Sequence, residues 1–151
     1  MFRYYTKIKY RYISILMQCN FYLKQIEFAN YILIILMFAF ENFPVYIKSE
    51  GTYSELKDLF KDKDINSNLR DQLYRSITSI MLNIAEGAGK SGKKDKKNFY
   101  TIARGSAQES VAIIRLLKLE DSIEISKYNI VYSNLTEISK MLSGLIKSMG
   151  N

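Results

Sequence analysis

The chain has no histidine among its 151 residues, only one cysteine, one proline and seven glycines. Each scarcity narrows what it can do. Without histidine the usual general base and the commonest metal ligand are missing, and no serine or cysteine can be activated by an imidazole. The lone Cys19 cannot close an intramolecular disulfide, which agrees with a reducing cytoplasm. With so few glycines and prolines, long helices can run uninterrupted. The composition, 48% hydrophobic and 25% charged, is that of a globular protein with enough chain for one core.

Positive charge is plentiful. Lysine and arginine number 22 against 15 acidic residues, a net charge of +7, with a pI near 9.4. That balance suits an acidic partner such as nucleic acid. It is unevenly spread. Residues 1–36 carry five basic groups and one acidic (+4), leaving 17 against 14 (+3) for residues 37–151.

Residues 1–36 read as an extension outside the main domain, poorly ordered or loosely helical. Tyrosine, phenylalanine, isoleucine and lysine crowd it, and no clean period persists. The apolar stretch 28–40 would span about 20 Å as a helix, short of the roughly 30 Å hydrocarbon core. It also lacks the short basic region and small-residue cleavage site of a secretory signal. The residue types match A/T-rich codons, and Met37 is the expected initiator, with residues 1–36 as upstream sequence read in frame.

The remaining residues, 37–151, predict four helices. Pro44 suits the first turn of helix 1, where its missing N–H is not needed. Val45, Ser49, Tyr53, Leu56 and Phe60 line one face of that helix. Asp62–Asn68 is a polar connection in which Asn66 or Ser67 caps helix 2. Leu69, Leu73, Ile77, Ile80 and Ile84 form the apolar seam of helix 2, which ends near Glu86 with Gly87 and Gly89 supplying positive φ. Ser91 caps helix 3, whose expected core stripe is Phe99, Ile102, Ser106, Ile113 and Leu117, running to about Lys118. After a turn at Asp121–Ser126, helix 4 (about 127–148) buries Val131, Leu135, Ile138, Leu142 and Leu145 at near-heptad spacing. Short connections make consecutive helices antiparallel, so the expected fold is an all-α, up-down-up-down four-helix bundle.

Helix 2 carries a second stripe. Gln72, Arg75, Ser79, Asn83 and Glu86 recur at the same spacing as the apolar seam, roughly 120° away on the helix. Such ordered polar groups suggest a second packed surface, against a neighbouring helix or another subunit. Folding about residue 89 sets Glu109 level with Arg70 and about one turn from Arg75, predicting a partly buried ion pair that fixes helix register.

The string Gln72-Leu73-x-Arg75-Ser76…Ser79-Ile80…Asn83-Ile84-Ala85-Glu86-Gly87, then Gly89-Lys90-Ser91, Asp95, Phe99, Ile102-Ala103-Arg104-Gly105-Ser106 and Glu109, resembles the signature of the "four helix bundle protein" family. That family includes proteins encoded within intervening sequences of bacterial 23S ribosomal RNA genes. It is similar to the accessory variability determinant of diversity-generating retroelements. The resemblance covers roughly Met37 to Ser148. Lys90 departs from it: arginine is common there, and lysine keeps the charge without the bidentate fork. The resemblance implies a cytoplasmic, homo-oligomeric bundle assembled as a pentameric ring. It also implies RNA or DNA, ribosomal or retroelement-derived, as ligand and a reverse transcriptase as a candidate protein partner, with no small-molecule substrate and no cofactor.

Three local features invite chemical readings that their surroundings weaken. Gly105-Ser106 could hold a nucleophilic serine, yet no base is present, so small residues permitting close helix approach explain it better. Gly87-Ala-Gly89 lacks the P-loop pattern and a preceding strand. Asp62, Asp64 and Asp71 read as loop and helix N-terminal charges, not a magnesium cluster.

The lysines are different. Lys90, Lys93, Lys94, Lys96 and Lys97 fall at the start of helix 3, where free N–H groups already concentrate positive charge and only Asp95 compensates. Either they bind phosphate, with Arg104 further along the helix, or they are a solvated end. Phosphate contacts alone would carry little sequence specificity. The expected protein is non-enzymatic and RNA-associated, with a protein-interaction scaffold or reverse-transcriptase accessory subunit as the alternative.

Overall fold

Phe43 and Pro44 start the first helix: Phe43 stands extended at the N-cap and Pro44 takes the first helical position, where no N–H is required. The computed structural model describes residues 24–30, 32, 38–60 and 65–150. Met37, Cys19, Asp62 and Asp64 lie outside the described residues, as does most of the extension. The chain divides into two units, Met1–Ala39 and Phe40–Asn151. In the first, residues 24–30 are helical and exposed.

The second unit is the bundle. A 3-10 turn, Ala39–Asn42, leads into α1 (Pro44–Leu59), followed by α2 (Ser67–Gly89), α3 (Lys93–Leu119) and α4 (Ile125–Ser148). Each helix packs against its two neighbours in the order α1–α2–α3–α4–α1. Side-chain pairs fix the antiparallel register. Ser76 meets Ser110 and Ser79 meets Ser106 between α2 and α3, while Arg104 reaches Ser143 between α3 and α4.

The core draws on all four helices. Leu73, Ile77, Ile80 and Ile84 of α2 are wholly buried, each contributing about 1.5–3 kcal/mol through loss of apolar surface to water. Val45 and Leu56 of α1 and Val131, Leu135, Ile138 and Leu142 of α4 face them, as their spacing predicts. Leu69, Leu145, Tyr53 and Phe60 sit at the edges, half-buried. Tyr74 of α2 packs between Tyr53 and Phe60, with ring centroids 5.6 and 5.3 Å away. Asn66 caps α2, its Oδ1 accepting from the Asn68 N–H at 3.0 Å.

The α3 seam differs from the expected one. Its buried residues are Tyr100, Ala103, Ser106, Ala107, Ser110, Ile113, Ile114 and Leu117. Phe99 is only half-buried and Ile102 is 52% exposed. Small residues at the centre of this stripe let α2 and α3 approach closely, and the larger apolar residues fall to one side.

Both turns flanking α3 have definite causes. Gly87 and Gly89 do not adopt positive φ, and α2 continues through them to Gly89. A Cβ on Gly87 would lie 2.7 Å from Tyr100 Cε1 and 3.1 Å from Phe99 Cβ, so this glycine exists for close approach, not for helix termination. Lys90 then turns extended, and Gly92, not Ser91, occupies the N-cap of α3. At the far end of α3, Asp121 takes φ of 51°. The Ser122 N–H donates to Leu117 O and the Asp121 N–H to Lys118 O, the paired bonds that close a helix around a left-handed residue.

Candidate nucleic-acid interface

The first N–H groups of α3 have no side-chain cap, and the Asp95 carboxylate in its first turn lies close to Gly92. Lys93, Lys94 and Asp95 are exposed. The five lysines of this region do not form one cluster. Lys90 pairs with Glu86 one turn back, and its ammonium lies 5.0 Å from the centre of the Phe99 ring. Lys97 donates to the carbonyl of Gly150 at 2.9 Å, tying the end of α4 to α3. Lys96 is half-buried. Lys93 and Lys94 therefore hold the mobile, outward charge beside the helix end, where a phosphate would meet both ammonium groups and backbone N–H donors.

Arg104 sits elsewhere. It lies seven residues beyond Lys97, half-buried in the α3–α4 groove, with Nη1 donating to Ser143 Oγ at 3.3 Å.

The polar stripe of α2 lies along the outer α2–α3 groove. Ser79 Oγ and Ser106 Oγ are 2.8 Å apart, Asn83 donates to Ser79 O at 2.7 Å, and Ser106 Oγ donates back to Ile102 O at 3.2 Å. The hydroxyl of Ser106 thus closes a helix–helix contact, as its surroundings predict. Gln72, Arg75 and Glu86 are exposed. The ion pair expected of Glu109 is not formed. Glu109 and Arg75 are both exposed and without an ionic partner among the described residues, and Arg70 instead lies 3.6 Å from its neighbour Asp71. The cause is register: because α2 runs through Gly87, the serine pairs set Glu109 level with Ile77 and not with Arg70.

Gly105 also differs from expectation. It is exposed with nothing within 4 Å of where a Cβ would stand, so it does not mediate close approach within the bundle. Beside it Ile102 is exposed, and Leu82 on the outer side of α2 is 64% exposed. Leu82 and Phe99 border a hollow that Asn83, Glu86 and Lys90 also line. Burial against Gly87 pushes the Tyr100 phenol above its usual range.

Sequence reasoning missed the innermost polar contact. Ser76 Oγ and Ser110 Oγ are 2.7 Å apart and buried; one donates to the other, and the other hydroxyl can donate to its own helix, with Leu73 O and Ser106 O as the acceptors within reach. The signal was present as serines standing in two otherwise apolar seams. Among the described residues no three His, Cys, Asp or Glu side chains are grouped for a metal ion, and no helix is long and apolar enough to cross a membrane.

The family model described as 23S rRNA-intervening sequence protein matches residues 41–144. A crystal structure of a protein of unknown function from the S23 ribosomal protein family of Bacteroides thetaiotaomicron VPI-5482 is similar at 29% identity and a TM-score of 0.62. The match covers 68% of this chain and 98% of that one. No curated protein matches.

Proposed function

We infer, from the premise that this chain belongs to the 23S rRNA-intervening sequence protein family, that it works as a non-enzymatic, self-assembling protein that associates with RNA. The observation that carries the reading is the start of α3. Lys93 and Lys94 stand exposed beside uncapped N–H groups, an arrangement that weakens an isolated helix and gains most from an anionic partner. Phosphate is the anion that matches it.

Self-assembly draws support from the outer α2–α3 face. Exposed Leu82 and Ile102, the open space over Gly105 and the ordered polar groups Gln72, Arg75, Asn83 and Glu86 lie on one side of the hairpin. An apolar centre with a polar rim is the make-up of a protein interface. A pentameric ring is the assembly proposed, and it would repeat the lysine-bearing helix end several times, turning weak contacts into avidity.

The test is RNA binding by fluorescence anisotropy, comparing wild type with a variant in which Lys93, Lys94, Lys96 and Lys97 become glutamine. The variant should keep its helicity and lose at least about tenfold in affinity. No binding by wild type at low salt would favour the second reading, a protein-only scaffold or reverse-transcriptase accessory subunit. That reading gains some support from the internal pairing of Lys90 and Lys97.

A further inference from the structure

A second positively charged surface runs along the groove between α3 and α4, away from the α2–α3 face. On α3, Lys97, Arg104, Arg115 and Lys118 follow one another at spacings of seven, eleven and three residues, which places them on a single stripe. Arg104 and Lys97 show that this stripe faces α4, through Ser143 and Gly150. Lys140 and Lys147 lie three and four residues from Ser143, so they stand on the flank of α4 that borders the same groove. Lys118 marks its far end, its ammonium 4.5 Å from the centre of the Tyr128 ring.

Neither helix lends the groove an unpaired acid, and the nearest carboxylates, Glu120, Asp121 and Glu124, lie in the turn beyond its Lys118 end. The carboxylates of α3, Asp95 and Glu109, project from other sides of the helix, and the one acid within α4, Glu137, is bound to Lys48 of α1 at 2.6 Å. Among the described residues, Arg104, Arg115, Lys118, Lys140 and Lys147 make no ion pair. From Lys97 to Lys118 the stripe extends about 31 Å at 1.5 Å per residue. Between the cations lie groups that can only hydrogen bond: Thr101, Gln108, Thr136 and Ser139.

At the Lys118 end two aromatic rings complete the surface. Tyr128 and Tyr132 stack with centroids 5.6 Å apart and an interplanar angle of 27°; Lys118 lies over Tyr128, and Tyr132 is left 40% exposed. Cations that follow a backbone, joined to an exposed ring on which a base can stack, are the two parts of a single-strand binding site. A duplex would have its bases stacked on one another and no use for the ring.

We propose that the α3–α4 groove binds a single-stranded stretch of RNA, its phosphates along Arg104, Arg115, Lys118 and Lys140 and a base on Tyr132. The proposal rests on the RNA association inferred above but assigns the main contact to a different surface. The α3 helix end then serves as one terminus of the track.

The experiment measures anisotropy of labelled oligoadenylate and oligouridylate single strands and of a duplex of equal length. It uses the full chain as wild type, as Arg104→Gln/Arg115→Gln/Lys118→Gln/Lys140→Gln, as Tyr132→Ala and as the α3-start lysine variant. The groove variant should lose more affinity than the α3-start variant, at least about thirtyfold, with its salt slope shallower by about 3. Tyr132→Ala should lose roughly tenfold on oligoadenylate and less on oligouridylate, because stacking scales with the base surface. Ultraviolet crosslinking of wild type should place adducts on Tyr132, a readout independent of any variant's fold. Unchanged affinity of the groove variant beside a weakened α3-start variant would overturn this proposal and leave the RNA reading intact. Preference for duplex, or crosslinks confined to α2, would overturn it too. Absence of binding by wild type would remove both.

Discussion

Ser76 Oγ and Ser110 Oγ meet 2.7 Å apart in the interior, joining α2 to α3 where neither helix offers a large apolar side chain. Two hydroxyl protons serve three contacts: one serine donates to the other, and the remaining proton goes to a backbone carbonyl, Leu73 O at 3.0 Å from Ser76 or Ser106 O at 2.9 Å from Ser110. Ser110→Ala should therefore cost only about 1 kcal/mol, because Ser76 keeps its bond to its own helix. Ser110→Leu should cost more, about 1–3 kcal/mol or above, by forcing the helices apart. Urea unfolding of both variants checks the order; equal losses would mean the contact is loosely packed.

Gly87 faces Tyr100 at a distance that a methyl group cannot share. Gly87→Ala should destabilise by about 1–3 kcal/mol despite the gain in helix propensity, since the ring beneath is buried. Gly51→Ala, in α1 with open space around it, should stabilise by up to about 1 kcal/mol. Thermal melts of the two variants should move in opposite directions. A gain in both would contradict the close packing of α2 on α3.

The left-handed Asp121 carries a steric cost that glycine does not. Asp121→Gly should raise stability by about 0.5–1 kcal/mol. Denaturant midpoints settle the sign.

How much of this was legible in the sequence follows from which residues carry an apolar signal. The seams of α1, α2 and α4 were readable because valine, leucine and isoleucine recur at three and four residues. The seam of α3 was misread because its centre is Ala103, Ser106, Ala107 and Ser110, which are nearly silent in hydropathy, while Phe99 and Ile102 are conspicuous and lie to one side. Gly87 reads as a stop signal in the sequence because its partner, Tyr100, sits in the next helix. The same register error carried Glu109 to Arg70. The α3–α4 groove could not be read at all: Arg104, Lys118, Tyr128 and Lys140 come together only once two helices are aligned.

Leu82 and Ile102 should matter for assembly and not for folding, since both are more than half exposed. Leu82→Glu with Ile102→Glu should leave helicity unchanged and shift the sedimenting species at micromolar concentration toward monomer. A wild type that sediments as a monomer throughout that range would reject the α2–α3 interface.

Association with RNA is the claim on which the functional account stands, and the salt dependence of wild-type binding tests it most directly. The logarithm of the association constant, measured for single-stranded RNA across salt concentrations, should fall linearly with a slope of about −3 to −4, as five or so phosphate contacts require. A slope near zero, or no binding at the lowest salt, would contradict it.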